Sequence, residues 1–131
     1  MKKLISITFT LAILVSSSKL VSSADVLDTI ASTIRGGNST ALSQYFDASV
    51  DVTILDKEAV YSKAQAQMVV RDFLMKYPVS SFTLIHRGTS PEGSQYGIGT
   101  MTSTGGSFRV YFLVRNKTGV SLIKELRFEK Q

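Results

Sequence analysis

Histidine occurs once in this 131-residue chain, at position 86, and cysteine does not occur. A single imidazole cannot build a His-rich metal site, and a Ser-His-Asp arrangement would have to use that one ring. Without a thiol there is no thiolate metal site, cysteine nucleophile or disulfide staple. His86 alternates in phase with Phe82 and Leu84, which predicts a side chain pointing inward from a strand. There it is either a hydrogen-bonded interior histidine or a pocket acid or base, because imidazole titrates near neutral pH. Asp56 is the carboxylate considered as its acidic partner. Lys124 interrupts the apolar series Val120, Leu122, Leu126 and Phe128. A buried ammonium is costly unless paired, so it either snorkels to the rim or meets a carboxylate or a ligand anion. Tyr61 and Tyr96 are amphipathic rings that could line the same interior. His86, Tyr96, Lys124, Tyr61 and Asp56 are therefore the candidate ligand-pocket residues. No residue is assigned a catalytic role, and no metal or cofactor is expected.

The glycine-containing motifs do not add a cofactor site. Gly97-Ile98-Gly99 begins like a dinucleotide fingerprint, but Thr102 stands where the third glycine belongs, and the run lies in a strand pattern. Gly105-Gly106-Ser107-Phe108-Arg109 fails the nucleophile-elbow pattern at its last position. A phosphate-binding loop ending in Gly-Lys-Ser or Gly-Lys-Thr is absent.

The elements that must position these residues follow from periodicity. Val26, Leu27, Ile30 and Ile34 fall at helical spacing over 25–35, and Gly36-Gly37 ends that helix. Asn38 reads as the N-cap of a short second helix with Ala41, Leu42, Tyr45 and Phe46 on its inner face. Alternation then predicts a strand over 50–54, a turn at 56–58 and a short returning strand at 59–61. Ser62 and Gln65 form a capping box that opens the best helix, whose stripe of Ala66, Val69, Val70, Phe73 and Leu74 runs to the stop at Pro78. Four strand-like segments follow, at 81–87, 96–102, 107–116 and 120–129, parted by short turn-forming runs. Such links predict an antiparallel meander. The fold class is α+β: two short helices, a strand pair, one long helix, then a four-stranded meander bent around that helix.

One face of the late strands mixes apolar residues with charge. Ile85, Met101, Tyr111, Leu113 and Ile123 interleave with Arg109, Arg115, Glu125, Arg127 and Glu129. Apolar groups rimmed by charge are what a subunit contact looks like, so Ile85, Met101, Arg109, Tyr111, Leu113 and Ile123 form a candidate homodimer face.

The N-terminus sets the compartment. Lys2 and Lys3 precede a mostly apolar run over 4–15 and then small polar residues up to Ala24, which is the plan of a secretory signal peptide. The run is well short of the roughly 20 residues needed to cross a bilayer. The expected organisation is a signal peptide at 1–24 and one domain at 25–131, with a cut after Ser18 as the alternative. Loss of Lys2, Lys3 and Lys19 leaves twelve basic against ten acidic residues, a net +2 in place of +5. That balance gives no footprint for nucleic acid, and no stable membrane insertion is expected after cleavage.

This order of elements over residues 25 to 130 resembles the nuclear transport factor 2-like superfamily, a cystatin-like α+β cone in which a bent sheet wraps a long helix. A narrower likeness rests on the runs Ile54-Leu55-Asp56-Lys57-Glu58-Ala59-Val60-Tyr61-Ser62-Lys63-Ala64-Gln65, Ser94-Gln95-Tyr96-Gly97-Ile98-Gly99-Thr100 and Phe108-Arg109-Val110-Tyr111-Phe112. These are similar to a family of exported Bacteroidetes proteins that is itself a domain of unknown function. The resemblance implies the cone fold and a periplasmic or secreted location, and it transfers no catalytic residue. Related cone folds often dimerise through the outer sheet surface. The functional expectation is an exported domain that binds a small apolar ligand or another protein. The alternative is a lyase, isomerase or hydrolase using His86 as general base in the cone.

Overall fold

A computed structural model describes residues 23–131; the expected signal peptide lies almost wholly outside them. Three helices and six strands follow in the order α1 (Ser23–Arg35), α2 (Ser39–Ser43), β1 (Phe46–Ile54), β2 (Lys57–Ser62), α3 (Lys63–Lys76), β3 (Val79–Thr89), β4 (Gln95–Ser103), β5 (Gly106–Lys117) and β6 (Val120–Lys130). The strands form one mixed sheet in the order β2-β1-β6-β5-β4-β3. The last four strands pair as antiparallel neighbours. The first strand pair is not separate from them, because β1 runs parallel beside β6. That long-range pairing leaves no trace in local spacing and makes the sheet mixed.

The same pairing shortens the second helix. Asn38 caps it as expected, its side-chain oxygen accepting from the Ala41 N–H at 3.0 Å. Tyr45 and Phe46 do not continue it. The Ile123 N–H donates to the Tyr45 carbonyl at 2.6 Å, and Phe46 pairs with Ile123 as the first residue of β1. Sheet hydrogen bonding at this point overrides the helical spacing of the apolar side chains.

The long helix α3 starts with the full Ser62–Gln65 capping box and ends at Tyr77, just before Pro78. It buries Ala66, Val70, Phe73 and Leu74. All three helices cover one face of the sheet. The core between them joins Leu27, Ile30 and Ile34 of α1 and Leu42 of α2 to Phe82, Met101, Phe108, Val110, Phe112, Ile123, Leu126 and Phe128 of the sheet. The Phe73 ring sits 4.7 Å from that of Phe128 and 5.3 Å from that of Phe108, while Tyr77 lies 4.8 Å from Phe108. Aromatic rings thus occupy the space between helix and sheet where a cone would hold a ligand.

The edge strand β3 is tied to α1. Arg35 Nε donates to the Phe82 carbonyl at 3.0 Å, and Arg87 forms an ion pair with Asp28. These contacts occupy part of an edge that would otherwise present unpaired backbone groups.

Candidate functional site

Two β-bulges decide where the candidate residues point. In β3, Leu84 pairs with Gly99 and His86 with Ile98, so an extra residue is inserted between them. When two residues oppose one, the strict alternation of faces is lost. Ile85 and His86 are both exposed, and both line a groove with Ile98 on the face away from the helices. The inward orientation expected for His86 is therefore corrected by one inserted residue. Its expected acidic partner is also remote. Asp56 is exposed at the tip of the β1–β2 hairpin, and β1 lies four strand spacings from β3, roughly 19 Å at the usual separation.

The second bulge lies in β6, where Leu113 pairs with Glu125 but Val114 pairs with Ile123, leaving Lys124 as the extra residue. Its ammonium lies 3.1 Å from Asp47 Oδ2, and the Lys117 ammonium lies 3.0 Å from the same oxygen. Asp47 is buried, and the Ala48 N–H donates to its other oxygen at 2.7 Å. Both ammonium groups thus contact one carboxylate oxygen. Lys117 most of all, then the Ala48 N–H and Lys124, hold the Asp47 carboxyl at about 2 against the opposing effect of burial. Of the two fates open to Lys124, it meets a carboxylate. Asp47 escapes a sequence reading because its partners lie about seventy residues downstream and are brought to it only by the parallel pairing of β1 with β6.

The remaining pocket candidates do not converge. Tyr61 is half-buried on β2 opposite buried Val50, against the helix-covered core. Tyr96 lies on the opposite face of the sheet, 6.3 Å from the Tyr111 ring. Its ring covers Gly88, where an added Cβ would come within 2.3 Å of it. Gly97 and Gly99 also serve packing, because a Cβ would approach the Phe112 ring to 2.6 Å at Gly97 and the Phe82 ring to 2.5 Å at Gly99. The glycine pair that resembles a cofactor fingerprint lets two core phenylalanines lie against β4.

What the sheet does present is an uncovered face. Arg109, Tyr111, Leu113 and Arg115 of β5 stand beside Glu129, Arg127, Glu125 and Leu122 of β6. Ile98 and Tyr96 of β4 adjoin Tyr111 and Leu113. Of the six residues expected on this surface, Ile85, Arg109, Tyr111 and Leu113 are there. Met101 and Ile123 are not; both are fully buried in the core. Met101 shares the parity of Gly97 and Gly99, while Ile123 is turned inward by the bulge at Lys124.

The centre of the face is an interlocked set. The Arg127 guanidinium sits 5.3 Å from the Tyr111 ring centre and 3.6 Å from the Glu125 carboxylate. Burial, and after it the Glu125 charge, raises the Tyr111 phenol above its ordinary value. Beside this set runs a groove of about 350 Å³ lined by Ile85, His86, Ile98, Thr100, Arg109 and Glu129 and closed by Lys130 and Gln131. A second hollow of about 200 Å³ holds Asp51, Val60, Leu113, Arg115 and Glu125. Arg109 and Glu129 are direct cross-strand neighbours, yet neither forms an ion pair among the described residues. No group of three or more metal-ligating side chains occurs among the described residues.

The family model described as "Domain of unknown function (DUF4783)" matches residues 27–129, so the chain belongs to that family. Two solved structures of DUF4783 family proteins are similar to it. The one from Bacteroides uniformis has a TM-score of 0.77 at 28% identity, covering 81% of this chain and 97% of its own. The one from Bacteroides ovatus has a TM-score of 0.75 at 28% identity, covering 79% and 93%. The structure "Rd1NTF2_04 with long sheet" matches with a TM-score of 0.64 at 21% identity over 82% of this chain and 99% of that one. The fold is thus nuclear transport factor 2-like. A comparison with curated proteins gave no match.

Proposed function

We propose that this DUF4783 chain is an exported, non-catalytic interaction domain that works through the open face of its sheet and self-associates there as a homodimer. The observation that carries this reading is the contrast of an interior packed with phenylalanines and an exterior sheet face rich in tyrosine, arginine and aliphatic side chains. Tyrosine and arginine are the residue types that dominate interface energetics. Size agrees: six strands of 6 to 12 residues, at about 4.8 Å spacing and about 3.3 Å per residue, offer roughly 900 Å², enough for the ~800 Å² per partner of a standard stable interface. The enzyme alternative loses support, because His86 faces outward and Asp56 is far from it. Interior ligand storage loses support too, because aromatic rings stand in the way.

Sedimentation equilibrium on residues 25–131 tests the association. The expected result is a two-chain mass at micromolar concentration and a one-chain mass for Leu113→Glu, with unchanged far-ultraviolet circular dichroism. A strict monomer at tens of micromolar overturns the dimer. Export rests on the residues before the domain. Intact mass of protein recovered from outside the cytoplasm should begin at Asp25, and a full-length chain retained inside would overturn it.

A further inference from the structure

We infer that the dimer, if the open-face reading above holds, is built on a two-fold axis running parallel to β5 and β6 and between them, with Arg109 of each copy paired to Glu129 of the other. Three observations fix this register. Arg109 and Glu129 are both exposed, stand opposite one another across β5 and β6, and are both without an ion pair among the described residues. The pair therefore offers one free cation and one free anion side by side. A two-fold axis between two strands exchanges them level by level, so the cross-strand register becomes the contact list between chains. Arg109 meets the second copy's Glu129, and Glu129 meets its Arg109. Two residues further along, Tyr111 meets the second copy's Arg127, which is already stacked over the tyrosine of its own chain.

The alternative axis is disfavoured by charge. A two-fold running across the strands at the level of Tyr111 would set Glu129 against the second copy's Glu125 and Arg127 against itself. Like charges placed directly opposite are repulsive, whereas the axis along the strands makes two opposite-charge contacts and two cation–π contacts. It also agrees with the aligned class of sheet packing, in which strand directions stay within about 30°. The charged pair lies only two residues from the centre, roughly 7 Å, so that rotation leaves it within reach of an arginine side chain.

Charge exchange between chains tests this directly. Arg109→Glu and Glu129→Arg should each weaken self-association by about tenfold or more, since each creates two like-charge contacts. Mixing the two variants should restore a dimer of one chain of each kind, close to wild type in affinity, because both contacts regain opposite charges. The double variant R109E/E129R should likewise dimerise with itself, which guards against either single variant failing to fold. If wild type and Leu113→Glu behave as above but the mixture binds no more tightly than either variant alone, the register is overturned while the open-face dimer stands. A monomeric wild type overturns both.

Discussion

The two faces of the sheet are made from the same strands, residue by residue in alternation, yet they solve different problems. On the helix-covered face Phe73, Phe108 and Phe128 meet with ring centres about as close as aromatic packing allows. On the open face Tyr96, Ile98, Tyr111 and Leu113 adjoin one another, but arginine and glutamate flank them and no helix covers them. The first face is finished by the chain's own helices. The second has the composition of a contact, and its cost in a lone chain is moderated by the charges that flank its apolar groups.

Mutations on the two faces should differ most in their effect on stability. Phe73→Ala should lower the unfolding free energy by about 3–5 kcal/mol, measured by denaturant titration, because it removes a ring shared by α3, β5 and β6. An effect as small as that of an open-face truncation would erase the distinction. Asp47→Ala should come next, at roughly 1.5–3 kcal/mol near neutral pH, since it strips the partner from Lys124 and Lys117. Its sign with pH is fixed: the folded carboxyl, at about 2, lies below its ordinary 3.8. The stabilisation is therefore full well above pH 4 and is lost as the pH falls through about 2, so the gap between wild type and variant should narrow over that range. A constant gap across that range would contradict the ion-pair assignment. Ser62→Ala should cost about 1 kcal/mol by removing one half of the capping box. His86→Ala should change stability by less than about 0.5 kcal/mol, as expected of an exposed side chain. A large loss would return the histidine to the interior and reopen the enzyme reading.

Much of the fold is legible in the sequence because local rules and global structure agree. The Ser62 capping box, the stop at Pro78, the Asn38 cap and the turn-parted late strands each follow from chemistry within a few residues. The candidate site is legible only in part, because face assignment depends on unbroken alternation. One inserted residue in β3 moves His86 outward, and one in β6 turns Ile123 inward and frees Lys124 to meet Asp47. Neither bulged strand carries glycine or proline at its inserted residue, so spacing along that strand gives no warning. The parallel entry of β1 beside β6 is likewise a long-range event, and it creates the Asp47 cluster unaided by any motif.

The hold that Arg35 and Arg87 keep on β3 bears on how far assembly can go. An open strand edge recruits another edge, and that product exposes a fresh edge, so growth along the hydrogen-bond direction has no end point. With the Phe82 carbonyl occupied by Arg35, and with the opposite edge reduced to a six-residue strand that begins Lys57-Glu58, both ends of the sheet resist such growth. Contact through the face behaves differently, because a two-fold uses up each surface in one step. Blunting the edges thus removes one route to open-ended growth, and the proposed face-to-face contact would end assembly at two.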